Sequence, residues 1–276
     1  MDHTSLIQKL IDDLQSDDRL RQRQAVYELA QMDSRSVLPA LLPVLAHRAR
    51  AVRALVIDTL ALLGDERAIP ALVERLGDRS LVVRRAAVRA LALIGSDEAV
   101  APLAGALLTD ANSGVRVQAA LGLRGIADDR ALPELLEALA TDVSAAVRRA
   151  AAQALGAIAS GAAVNGLERA LLYDPDPAVQ QEAANALGQI SEPESIPALI
   201  LALNHEDYEV WHAAAEALWL MDAEAEPFLR AGLIDPSMAM RRAALKAVMW
   251  LTLEHDEDGA RANEVDIWPA MWGWWN

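Results

Sequence analysis

Residues 147–156 read Val147-Arg148-Arg149-Ala150-Ala151-Ala152-Gln153-Ala154-Leu155-Gly156, and the phrase returns along the chain. Its opening recurs as Val52-Arg53, Val83-Arg84 and Val115-Arg116 before it. After it come Val179-Gln180, Val210-Trp211 and Met240-Arg241. The spacing is 31 or 32 residues over almost the whole length, as from 52 to 83 and from 83 to 115. A proline keeps the same beat at Pro39, Pro70, Pro102, Pro133, Pro197 and Pro227, with Asn165 in the one gap. A period of this length marks stacked supersecondary units, none of which can bury its apolar face alone. The fold expected is therefore all-α, a stack of about eight helix pairs.

Each repeat reads as two helices. The first carries the proline near its start, where a missing N–H costs little. It also carries an apolar stripe such as Ala68, Ile69, Leu72, Val73 and Leu76. A short turn follows with Asp78, Asp110, Asp142, Asp174 or Asp235, each placed to cap the next helix. The second helix is the Val-Arg phrase, ended by glycine or a polar break: Gly64, Gly95, Ala127-Asp128-Asp129, Ser160-Gly161, Ser191-Glu192-Pro193. First helices are placed at 5–14, 36–46, 67–76, 98–108, 129–139, 162–171, 194–203 and 223–233. Second helices are placed at 19–31, 49–63, 80–94, 113–126, 144–158, 176–190, 207–220 and 237–251. The repeat domain thus spans 1–251. Residues 252–276 break the beat with an acidic run and Trp268, Trp272, Trp274 and Trp275, and read as a terminal cap or a docking segment.

Composition narrows the chemistry. The chain has 276 residues, 53% of them apolar, yet one Phe and three Tyr, so the core must be built from Ala, Leu, Val and Ile. Cysteine is absent, which excludes disulfides, thiolate metal sites and cysteine nucleophiles. The opening MDHTSLIQKLIDD is acidic and amphipathic, unlike a secretory signal, and no apolar run is long enough to span a bilayer; a cytoplasmic protein is expected. Residues 1–150 hold 19 Lys+Arg against 20 Asp+Glu, whereas residues 151–276 hold 6 against 20. The acidic second half would repel nucleic acid and suits a basic or hydrogen-bond-donating partner.

The Pro, Asp, Val-Arg and Ala-Leu-Gly positions resemble HEAT repeats, specifically the short bacterial subtype first named for phycobilisome lyases. The resemblance covers about residues 5–251. It implies a right-handed α–α superhelix whose second helices line a concave face, and that Arg53, Arg84, Arg116, Arg148 and Arg241 pair with turn aspartates as a structural ladder. It further implies a non-catalytic scaffold, adaptor or assembly factor linked to phycobiliproteins or photosynthetic complexes. The alternative it implies is a component of an E/F-type phycobilin lyase, holding a bilin non-covalently and delivering it to a cysteine of a phycobiliprotein. Iron hydroxylases of the family use several His-Glu pairs and this chain has one, so no metal is expected. A DNA-glycosylase reading fits poorly with the acidic half.

The partner-facing residues expected are Arg85, Arg89 and Arg149, as a basic patch, with Trp211, His212 and Trp219 as anchors. Trp272, Trp274 and Trp275 are candidates on the tail. Tryptophan and arginine are enriched at binding hot spots, and all seven tryptophans follow residue 210. His212 and Glu216, one turn apart, are the weak candidates for acid–base chemistry. His205-Glu206 lacks the second histidine of a zinc-protease helix, and no glycine-rich phosphate loop or Gly-x-Ser-x-Gly elbow is present. A phycobiliprotein or a second repeat subunit is the partner envisaged.

Overall fold

The structure is a computed structural model, described here for residues 3–253. The expected fold class holds: the chain is an all-α repeat solenoid of about eight helix pairs, with no strand among the described residues. It divides into two compact units, Met1–Ala154 and Leu155–Asn276.

In the first unit the first helices are α1 (His3–Gln15), α3 (Ser34–Leu41), α5 (Ile69–Leu76), α7 (Val100–Thr109) and α9 (Leu132–Thr141). The second helices are α2 (Arg19–Ala30), α4 (Arg50–Leu63), α6 (Leu81–Ile94), α8 (Ser113–Ile126) and α10 (Ala145–Ile158), the last running through the boundary. The second unit holds α11 (Val164–Tyr173), α12 (Pro177–Ile190), α13 (Ile196–Ala202), α14 (Tyr208–Leu233) and α15 (Met238–Leu253). A single 3-10 turn such as Glu66–Ala68 leads into most first helices. The proline then falls inside the first turn of the α-helix, as Pro70, Pro133 and Pro197 do.

Successive second helices pack side by side within each unit, α4 on α6 and α6 on α8 in the first, α12 on α14 in the second. Leu60, Leu91, Leu123 and Leu187 are fully buried in those layers. Small residues set the spacing. A Cβ added to Gly122 would stand 2.9 Å from the Ala92 Cβ, and one added to Gly188 would stand 2.8 Å from the Ala217 Cβ. Both glycines are there because the neighbouring backbone leaves no room for a methyl group.

Helix ends follow the expected breaks but not always with glycine. Gly64 and Gly95 take the left-handed conformation that stops α4 and α6, as expected. Ala127, Ala159 and Ser191 adopt the same conformation without being glycine.

The clearest departure concerns 207–220 and 223–233. These join in one 26-residue helix, α14, with Pro227 inside it. Between the two expected helices the sequence runs Met221-Asp222-Ala223-Glu224-Ala225-Glu226, with no glycine to break the helix. The proline that elsewhere opens a first helix is therefore absorbed into a continuing one.

Candidate functional site

The recurrent arginine forms a ladder. Arg53 donates through Nε and Nη2 to both oxygens of Asp78, at 2.8 Å each, and through Nη1 to the carbonyls of His47 and Arg48. Arg84 repeats this with Asp110 and the Asp78 carbonyl, and Arg116 with Asp142 and the Asp110 carbonyl. Each guanidinium so ties its own turn to the turn of the next repeat. The pairs are nearly buried: side-chain exposure is 6% and 8% for Arg53 and Asp78, 11% and 9% for Arg116 and Asp142. These fork-to-carboxylate contacts have the bidentate geometry that makes arginine hard to replace. Arg148 and Arg241 likewise donate to the carbonyls of their own turns, Asp142 and Asp235.

The turn aspartates serve this ladder and not, as expected, the helix caps. Asp78, Asp110, Asp142 and Asp174 each accept the N–H of the residue two positions on, which closes the turn. Capping falls to that later residue, such as Asn112, Asp176 and Asp207 at the starts of α8, α12 and α14. Burial pushes the Asp78, Asp110 and Asp142 carboxyls upward. The arginine hydrogen bond, the turn N–H and the arginine charge outweigh it, so all three settle below the usual carboxylate range.

Sequence reasoning missed the alternative form of the rung. His47 and His205 occupy the turn position of the aspartates, and their Nδ1 atoms accept the N–H of Ala49 at 3.1 Å and Asp207 at 3.0 Å. Accepting requires an unprotonated Nδ1, so each imidazole proton sits on Nε2. In both cases the ladder position of the preceding repeat is glutamine, Gln22 before His47 and Gln180 before His205. Four aspartate turns follow an arginine and both histidine turns follow a glutamine, while Asp235 follows Trp211. The signal was present in the repeat alignment, because both positions change together. His205 is thereby a turn residue, and among the described residues no group of three His, Asp or Glu could hold a metal ion.

In the first unit, the expected basic patch is partly spent. Arg89 on α6 pairs with Asp58 on α4 at 2.6 Å, and Arg85 reaches the Asn112 side-chain oxygen at 3.4 Å. Arg149 on α10 is exposed. All three lie on second helices, as the expectation required.

In the second unit, α14 carries an aromatic face. Tyr208, Trp211, His212 and Trp219 are spaced i, i+3, i+4 and i+11, which puts them on one side of the helix. The Tyr208 and Trp211 rings meet edge to face at 5.1 Å, and His212 lies 5.3 Å from Tyr208 and 6.0 Å from Trp211. Lys246 on α15 places its ammonium 4.4 Å over the Trp211 ring while donating to the Leu203 carbonyl at 2.8 Å. That is cation–π geometry. Burial, and then the charge of Arg242, pulls the Lys246 ammonium below its ordinary value. Trp211 takes the ladder position and fills it with this stack. Tyr208 remains 56% exposed, Trp219 39% and the adjacent Leu220 59%. His212 Nδ1 stands 3.7 Å from Glu216 Oε1, beyond hydrogen-bond distance. Trp268, Trp272, Trp274 and Trp275 lie outside the described residues.

Among the described residues no helix is long and apolar enough to cross a membrane. The sequence model of a family described as HEAT repeats matches residues 7–82, 72–156, 132–219 and 196–261. A search of curated proteins finds no match. Among solved structures, an engineered protein is 26% identical over 89% of this chain and 78% of that one, with a TM-score of 0.49. Human deoxyhypusine hydroxylase in complex with glycerol is 22% identical over 90% and 96%, with a TM-score of 0.41. The complex of CpcE and CpcF of phycocyanin lyase from Nostoc sp. PCC7120 is 24% identical over 80% and 90%, with a TM-score of 0.48.

Proposed function

Since the chain belongs to the HEAT-repeat family, we propose that it is a non-catalytic protein-interaction scaffold or adaptor whose partner docks on the aromatic face of α14. The observation that carries the reading is the exposure of Tyr208 and Leu220, with Trp219 partly exposed beside them, on one helix of the acidic half. Large aromatic side chains cost little entropy to immobilise and give up much area on contact, which makes them anchors at interfaces. Trp211, held by Lys246, and His212 support that face from within. Arg85, Arg89 and Arg149 offer the first unit a polar contact surface with modest free charge, because Arg89 is already paired with Asp58.

The partner class to try first is a phycobiliprotein subunit, a choice resting on the resemblance of the repeat itself. The bilin-delivery alternative has less support, since of the three arginines it would use for two propionates, Arg85, Arg89 and Arg149, Arg89 is already paired with Asp58. Binding of the purified full chain to immobilised phycobiliprotein subunits, with and without bilin, tests the reading. Saturable binding that falls about tenfold or more in Tyr208→Ala with Trp219→Ala is expected, as for loss of hot-spot anchors. Binding untouched by that pair would refute the docking face. Colour retained by the chain after co-expression with a bilin would instead favour delivery.

A further inference from the structure

The turn arginines of the first unit lie outside every expectation above. A cavity of about 620 Å³ opens where α4 and α6 begin, lined among others by Arg48, Arg50, Arg53, Arg79 and Ser80. Four arginines line one cavity in a unit whose charge is balanced overall. One of them, Arg53, has its charge consumed by Asp78. The other three do not. Arg48, Arg50 and Arg79 are exposed, and among the described residues none of these side chains makes a hydrogen bond or ion pair. The nearest carboxylate in sequence, Asp78, has both oxygens on Arg53 and also accepts the Ser80 N–H, so it cannot neutralise Arg79 as well.

The backbone at the same place adds donors. In this unit α2 and α8 are capped by Asp18 and Asn112, whose side chains accept first-turn N–H groups. By contrast α4 starts after Ala49 and α6 after Ser80, and neither residue caps its helix with a side chain. The Val83 and Arg84 N–H groups bond the Ser80 carbonyl and that of Arg53 the Ala49 carbonyl, but no cap side chain accepts the N–H groups that precede them in these two 14-residue helices. At the corresponding turn before α8 the residues around the cap are Ala111 and Ser113, and before α10 they are Val143 and Ala145. Nothing in the repeat as such calls for arginine there.

We propose that this cavity binds a phosphoryl group as its dianion. Arg48, Arg50 and Arg79 take the peripheral oxygens through charge-assisted hydrogen bonds, and the open ends of α4 and α6 supply backbone N–H donors and favourable dipoles. The site is separate from the α14 face and does not rest on the partner proposed for it. The same chemistry is offered by a free phosphate or small phosphomonoester and by a phosphorylated side chain of a partner protein.

Calorimetric titration of the full chain at fixed chloride concentration decides it, with inorganic phosphate, a phosphoserine peptide and the same peptide unphosphorylated as probes. The wild type binds a phosphorylated probe saturably and ignores the unphosphorylated peptide. Arg48→Gln with Arg79→Gln weakens that binding about tenfold or more, as removal of two charge-assisted contacts should, and the change Arg124→Gln, at an exposed position of α8, leaves it unchanged. A phosphopeptide at least about tenfold tighter than phosphate assigns the site to a modified partner; equal affinity assigns it to a small phosphorylated ligand. Should the double variant lose its helical circular dichroism, Arg50→Gln alone carries the comparison. Absence of saturable binding to the wild type, or variants that bind as well as it does, overturns the proposal.

Discussion

The two units run the same repeat in different ways. The first keeps an unbroken sequence of charged rungs, Arg53–Asp78, Arg84–Asp110 and Arg116–Asp142, and carries 19 basic against 20 acidic residues up to residue 150. In the second, the ladder position is Gln180, then Trp211, then Arg241, and the balance from residue 151 is 6 against 20. The repeat therefore tolerates loss of the charged rung. Where the rung lapses into Trp211, the position is given to a cation–π stack beneath an exposed aromatic face. The first unit also departs, at Gln22, and the second returns to arginine at Arg241; the departure at Trp211 is the one that lies beside exposed aromatic residues.

The sharpest way to break that contrast is to remove a rung. Arg116→Ala strands the Asp142 carboxylate, 9% exposed, and should cost about 3 kcal/mol, the range for an uncompensated buried charge. Urea unfolding checks it. A midpoint equal to wild type would move Arg116 to the surface class. The same rungs set an acid limit. Asp78, Asp110 and Asp142 sit below their unfolded values, so their contribution is complete above the usual carboxylate range. It is lost as pH falls through the lowered folded values. In an acid titration followed by circular dichroism, Arg116→Ala should retain less of this pH dependence than the wild type.

Next in size is the conversion of a neutral rung. Gln180→Arg alone introduces a charge without an aspartate, and His205→Asp alone a carboxylate without an arginine. Each should destabilise. Together they recreate the charged form, and the double-mutant cycle should show favourable coupling of about 1–3 kcal/mol. Additive effects would mean that Arg–Asp and Gln–His are not alternative forms of one rung.

The smallest effect expected lies at a helix end. Ala127→Gly relieves a left-handed residue and should stabilise by about 1 kcal/mol. The same change at Ala120, buried inside α8, should destabilise by about as much.

The period made most of this legible. Repeating Val-Arg and Pro positions located nearly every helix to within a few residues, because each repeat buries the same face. Fusion of the seventh second helix with the next first helix was not read. Pro227 looked like its counterparts, whereas the deciding fact was the lack of a breaker between Met221 and Glu226. Cap and ladder roles of the aspartates were confounded because both use an oxygen one turn before the helix; only the bond to the residue two positions on separates them. Site residues were legible in kind and not in state. Spacing put Arg89 on the right helix, but its pairing with Asp58 depends on a side chain 31 residues away. Arg48 and Arg79 stand in turns and Arg50 opens α4, positions at which the repeat pattern carries no signal.

The division of labour between a structural ladder and an aromatic docking face is tested most directly by one comparison of dissociation constants. Wild type, Tyr208→Ala with Trp219→Ala, and Arg85→Glu with Arg89→Glu are titrated calorimetrically against a phycobiliprotein subunit, each variant first shown to keep its helical spectrum. The aromatic pair should weaken binding about tenfold or more, and the arginine pair should change it by no more than about threefold, as for exposed, partly paired charges. Unchanged affinity in the aromatic variant with collapse in the arginine variant would contradict the account.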